Sequence, residues 1–158
     1  MRSPYAVRAA DRADAAVIAH HRAAMFRDMG QVEPAEMAAL ESASCECLTR
    51  ALEKGEYVGW LVVSASEVVA GGGLIVHELL PRPGQLSGGE EAYVLNVYCE
   101  PPHRRRGLAR ALMDAILDWC RERSISRVSL HASDEGRPLY EGLGFTPTNE
   151  MRLERVSG

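Results

Sequence analysis

Three arginines followed by glycine, leucine and alanine (Arg104-Arg105-Arg106-Gly107-Leu108-Ala109) form the stretch of this chain with the clearest chemical potential. A strand-like run, Tyr93-Val-Leu-Asn-Val-Tyr-Cys99, leads to two prolines, which cannot continue a central ladder. A helical stretch follows, with Leu108, Leu112, Ile116 and Trp119 on one apolar stripe and Ala109, Met113, Leu117 and Cys120 widening it. A helix N-terminus offers unpaired backbone N–H groups and the positive end of the dipole. Gly107 has no β-carbon, so an anion can approach the backbone closely, and Ala109 keeps the next exposed position small. With the charge of the arginines added, the turn suits a pyrophosphate. On physics alone a solvated basic turn that merely starts a helix is the alternative.

Such a turn has to be held by a sheet and by the helices that cover it. Tyr5 to Ala9 reads as an edge strand. Asp11, three residues before Asp14, resembles a capping box opening a helix with Ile18, His21, Met25 and Met29 at helical spacing, up to Gly30. A second helix is expected from Pro34 to about Leu52. The period then changes: Tyr57–Val63 and Val68–Val76 read as an antiparallel hairpin around Ser64-Ala-Ser-Glu67. Gly71-Gly72-Gly73 inside its second strand points to a bulge or to close approach by another group. After a proline- and glycine-rich loop from Pro81 to Gly89, strand Glu91–Cys99, helix Gly107–Arg121, strand Ile125–Ala132 and short helix Arg137–Leu143 are expected. A final strand is expected from Phe145 into Met151 and Leu153. The order predicts an α/β fold of a single domain, residues 1–158: a mixed, mostly antiparallel sheet with helices on both faces.

Composition narrows the class. The 158 residues are 46% hydrophobic, which suits a folded domain, and the net charge of -4 gives the whole molecule no reason to seek nucleic acid or an anionic membrane. No run reaches the roughly 18 apolar residues of a membrane span, and no signal-peptide pattern opens the chain. Cys45, Cys47, Cys99 and Cys120 match no zinc spacing and read as free thiols, which places the protein in the cytoplasm. The His20-His21 pair lacks partners at metal spacing, so no metal is expected.

The arginine–glycine turn resembles the acetyl-CoA signature of the GCN5-related N-acetyltransferase family, whose core pattern is Arg/Gln-x-x-Gly-x-Gly/Ala. A second block, Val128 to Ser133 and then Gly136-Arg-Pro-Leu-Tyr-Glu-Gly-Leu-Gly-Phe145, looks like the family's last strand–helix pair with its Leu-Tyr…Gly-Phe ending. The likeness is good from Glu91 to Phe145 and lies only in the order of elements before that. It implies that Arg104, Arg105, Arg106, Gly107, Leu108, Ala109 and Arg110 form the pyrophosphate site of acetyl-CoA. It also implies that Val97 and Cys99, on a strand that bulges and splays from its neighbour, meet the pantetheine arm through main chain. Ser133 adds a hydroxyl near that arm, or simply starts a turn.

The reaction implied is attack of a neutral amine on a thioester, which needs a base, a donor for the developing oxyanion and an acid for the leaving thiolate. By the resemblance Tyr140 occupies the place of that acid; a half-buried aromatic that holds the short helix is the alternative. Glu91 stands near where some members carry a catalytic glutamate, although Tyr93 is the closer positional match and puts a direct carboxylate base in doubt. Asn96 and His131 are further polar residues that could position a water or the amine, His131 otherwise being a core histidine. The family's acceptor side implies Met25–Met37 and Pro81–Glu91 here. Met29 and Met37 with Glu33, Glu36, Glu90 and Glu91 would make it mildly acidic and favour a cationic amine on a small molecule or peptide. A non-catalytic CoA-binding module and the use of a longer acyl-CoA are the alternatives, and a homodimer, paired through the last strand, is plausible.

Overall fold

The computed structural model describes residues 2–155. Strand β1 (Ala6–Ala9) is followed by a 3-10 turn at Arg12–Asp14 and helix α1 (Ala15–Asp28). The Asp11–Asp14 spacing makes the expected reciprocal cap: Asp11 accepts from the Ala13 N–H, and Asp14 accepts from the Asp11 N–H at 2.8 Å. Arg8 grips the same Asp14 carboxylate with two bonds of 2.9 and 2.8 Å. A proline turn opens helix α2 (Met37–Lys54), which Gly55 ends in the left-handed region at φ 71°.

Strands β2 (Tyr57–Ser64) and β3 (Glu67–Glu78) form the expected hairpin, with Ala65 and Ser66 both at positive φ in its turn. Then come β4 (Glu90–Cys99), helix α3 (Leu108–Glu122), β5 (Arg127–Leu130) and helix α4 (Arg137–Gly142). The sheet has the order β1-β2-β3-β4-β5 and is antiparallel except for the parallel β4–β5 pair. Helices α1 and α2 cover one face, where Ala15, Ile18, Ala19 and Leu48 pack with Tyr57 and Leu61. Helix α3 covers the other with Leu112, Met113 and Ile116, all fully buried. Each of these three contributes about 1.5–3 kcal/mol of burial.

The glycine run sits at an irregularity, but the extra residue lies on the partner strand. Gly71 pairs with Tyr98 and Gly73 with Leu95, so Asn96 and Val97 together face Gly72 alone, and Asn96 takes a positive φ of 60°. The insertion rephases β4. Ala92 and Val94 pack toward α3, and beyond the bulge Val97 and Cys99 do so, while Asn96 and Tyr98 turn toward α1. The glycines themselves make room for core side chains. A β-carbon on Gly73 would collide with the Tyr57 ring and stand 2.6 Å from the Val58 carbonyl; one on Gly71 would stand 2.9 Å from Leu61 and 3.1 Å from His21.

The expected last strand is absent. Residues 145–153 run without ladder pairing, and Met151 and Leu153 are 98% and 75% exposed. Pro147 supplies no backbone donor, and beyond Phe145, which packs against the α3-side core, Met151 and Leu153 bury no face.

Candidate active site

Beyond Val94 and Leu130 the parallel pair β4–β5 comes apart, because its register covers only Glu91–Val94 against Arg127–Leu130. The fork opens into a cleft of about 690 Å³. Its floor is Tyr93 to Cys99 of β4; Leu130, His131 and Ser133 form one wall, with Leu139 and Tyr140 of α4 behind them. The other wall is α1, through Arg22, Met25, Phe26 and Met29, and Arg104, Arg105 and Ala109 stand at the mouth.

The mouth has the features of an anion site. Arg105 and Gly107 both have positive φ, 60° and 78°. The Arg104 N–H still reaches Pro101 O, and the next turn bond runs from Ala111 N to Gly107 O. The amides of Arg105 through Arg110 thus have no hydrogen-bond acceptor among the described residues. Unpaired donors gathered around a glycine whose β-carbon position is open for 4 Å make a cradle that fits a pyrophosphate. Arg104 is committed to holding that cradle in place. Its Nε donates to Cys99 O and its Nη2 to Asp28 Oδ2, both at 2.9 Å, and its guanidinium lies 5.5 Å from the Tyr98 ring centre. The pairing holds the Asp28 carboxyl below its ordinary value against the opposing effect of its burial. Arg105, Arg106 and Arg110 are not tied down in this way; among the described residues only Arg110 of the three has a carboxylate neighbour, Asp114 at 3.4 Å.

The sequence-predicted residues divide by place. Val97, Cys99, Arg104, Arg105, Ala109, Ser133 and Tyr140 line the cleft, and Arg106, Gly107, Leu108 and Arg110 complete the turn beside it. Ser133 uses its Oγ to accept from the Gly136 N–H at 3.1 Å, so it also shapes the turn into α4. Tyr140 is half-buried, edge-on to Phe145 at 6.0 Å, and burial raises its phenol above the ordinary value. Glu91 is not brought to the cleft. It lies at the closed end of the β4–β5 pair, accepting from Ser129 Oγ at 3.1 Å with Arg127 at 3.8 Å. Tyr93, one turn of the pleat further along, does line the cleft.

Two features of the site were not anticipated from the sequence. The residues of the expected acidic acceptor surface are mostly outside the cleft: Met29 lines it, but Met37, Glu33, Glu36, Glu90 and Glu91 do not. In their place α1 presents Arg22, stacked over Phe26 at 4.8 Å and held by Asn96 Oδ1 at 2.7 Å. Its position beside the apolar stripe of α1 was the available sign, since it lies four residues from both Ile18 and Phe26.

The acetyltransferase (GNAT) family model matches residues 15–145. A GCN5-related N-acetyltransferase from Ralstonia eutropha JMP134 superimposes with a TM-score of 0.87 at 34% identity, over 98% of this chain and 99% of that one. A predicted acetyltransferase of Clostridium acetobutylicum, crystallised with acetyl-CoA, gives 0.84 at 25% identity over 96% of each. Among curated proteins, 91 residues are 41% identical to the mycothiol acetyltransferase of Beutenbergia cavernae, over 56% of this chain. The chain spans only 28% to 57% of the length of the curated relatives it matches. Family model and full-length structural likeness agree: the chain belongs to the GNAT acetyltransferase family.

Proposed function

We propose that the whole chain acts as one N-acetyltransferase domain, transferring the acetyl group of acetyl-CoA to a primary amine of a small molecule or peptide within a ternary complex. The observation that carries the reading is continuity. Unpaired amides at the start of α3 lead into the unpaired edge of β4, and that edge shares its cleft with Tyr140. Acetyl-CoA supplies an activated acyl carbon when bound. Arg105 to Arg110 hold its pyrophosphate through backbone N–H groups, and the β4 edge from Leu95 to Cys99 receives its pantetheine arm. In the transfer an N–C bond forms as the C–S bond breaks. A backbone N–H of β4 donates to the developing oxyanion, Tyr140 donates its proton to the departing sulfur, and the amine's proton leaves through water held by Tyr93 or His131. Glu91 takes no part in this proton transfer, since Ser129 and Arg127 engage it away from the fork. Direct attack of this kind needs no metal ion. Four free thiols suit the reducing cytoplasm, and no helix among the described residues is long and apolar enough to cross a membrane.

Thiol release from acetyl-CoA, measured over a panel of amines for the native protein and Tyr140→Phe, tests the proposal. Amine-dependent release that the substitution slows supports it. Tight CoA binding with no release for any amine would instead favour a non-catalytic CoA-binding module.

A further inference from the structure

The α1 wall of the cleft carries a cation that the transfer chemistry does not use. Four arginines line the cleft, Arg22, Arg104, Arg105 and Arg152, against two carboxylates, Asp28 and Glu135. Arg104 is neutralised by Asp28 at 2.9 Å, Arg152 has Glu154 at 3.5 Å, and Arg105 belongs to the pyrophosphate turn. Arg22 is different: no carboxylate of the described residues stands within 4.0 Å of it, although it is half-buried. A half-buried guanidinium without an anion is costly, because part of its hydration is lost with no countercharge in return.

Its placement is built in. Asn96 Oδ1 accepts from Arg22 Nη1 at 2.7 Å, and Asn96 Nδ2 donates onward to the buried Tyr57 Oη at 3.4 Å. Asn96 is itself the residue at φ 60° in the β4 bulge, so a strained backbone position serves to aim an amide at α1. Phe26 fixes the other side of the guanidinium at 4.8 Å. Only one of five N–H donors is spent on the protein, and the remainder keep the planar fork that matches a carboxylate or phosphate. Arg22 approaches from the α1 side of β4, and Tyr140 from the α4 side, so the guanidinium lies on the wall away from the leaving sulfur.

Resting on the transferase reading above, we infer that Arg22 is a specificity-determining residue that receives an oxyanion of the acceptor. The acetylated amine then belongs to a small molecule that also carries a carboxylate or a phosphate. This reverses the expectation of a cationic amine, which assumed glutamates that do not reach the cleft.

The test uses matched acceptor pairs with saturating acetyl-CoA: an α-amino acid against its amide, and a hexosamine phosphate against the free hexosamine. The anionic member of one pair is expected to have the higher kcat/KM by about 10- to 100-fold, the scale of a charge-assisted bidentate contact. Arg22→Gln should collapse that ratio toward one and Arg22→Lys should keep part of it; the responsive pair identifies carboxylate or phosphate. A ratio below about threefold in the native protein, or one that survives Arg22→Gln, overturns the inference. If no amine in the panel turns over, the transferase reading is what fails. Calorimetry of the same compounds on CoA-saturated protein then decides the anion site: Arg22-dependent binding of the anionic members supports it, and its absence overturns it.

Discussion

Tyr140 and His21 show burial acting on two titratable groups with different consequences. Burial raises the Tyr140 phenol, so it keeps its proton at neutral pH and can pass it to a departing thiolate. Tyr140→Phe preserves the edge-on contact with Phe145 and removes only the donor. It should lower kcat by about 100-fold or more while leaving the KM for acetyl-CoA nearly unchanged. Native activity should fall only at a pH above that at which an ordinary phenol begins to ionise, and the substituted enzyme should lack that alkaline fall; a pH series of thiol release checks both. His21 is 1% exposed, and neither ring nitrogen has a hydrogen-bond partner among the described residues. Glu100 Oε1 stands 3.7 Å from its Nε2, too far to bond, so burial prevails and, with a smaller push from His20, drops the ring from its ordinary 6.5 to about 4. The folded protein therefore holds His21 neutral where the unfolded chain protonates it, and stability falls as pH drops from about 6.5 to about 4. The loss across that window amounts to roughly 3 kcal/mol at most. In His21→Met the Tm should change less steeply with pH over this range; an identical acid slope would assign the effect to other groups.

At the scale of elements, the turn into α3 and the bulge in β4 do most of the positioning. Gly107 holds φ 78° with open space where a β-carbon would go, so Gly107→Ala meets no clash within the protein but strains the backbone and crowds the cradle. A stability loss of about 1 kcal/mol is expected from the strain. The KM for acetyl-CoA should rise about tenfold, the scale of one charge-assisted hydrogen bond; denaturant melts and steady-state kinetics separate the two effects. This turn was legible in the sequence because every determinant of it is local: two prolines, a glycine, and an apolar stripe of period 3.6. The bulge was legible only as an irregularity. Glycines mark where a partner backbone or side chain comes close, but they do not say which of two paired strands carries the extra residue, and here it is Asn96 opposite them. The missing last strand has the opposite cause. Phe145, Met151 and Leu153 have the composition of a strand, yet a strand exists only by pairing, and Pro147 and the short β5 offer it little. The placement of Arg22 was not legible in the sequence because the Asn96 that holds it lies 74 residues away along the chain.

Across the whole molecule, the sheet is shared by two cores. Trp60 and Val62 belong to the α3 side, whereas Leu61 between them belongs to the α1–α2 side. Unfolding either layer strips the other, so urea should unfold the protein in one transition. Tryptophan fluorescence reports the α3 side, where Trp60 and Trp119 meet edge-on at 6.1 Å, and far-ultraviolet dichroism is weighted toward α1 and α2. Coincident midpoints are expected, and separated ones would divide the molecule into two units. The fork between β4 and β5 has a consequence for the protein's lifetime. Among the described residues half of β4 lacks a neighbour on its β5 side, so the free protein resembles a sheet with a strand withheld, the place the proposed function gives to pantetheine. A ligand bound only by the native state adds about 2.7 kcal/mol at a hundredfold excess over its Kd. Resistance to limited proteolysis should therefore rise steeply with acetyl-CoA concentration. In a cell the number of surviving copies would then follow the supply of acetyl donor, with the enzyme most durable when its substrate is plentiful.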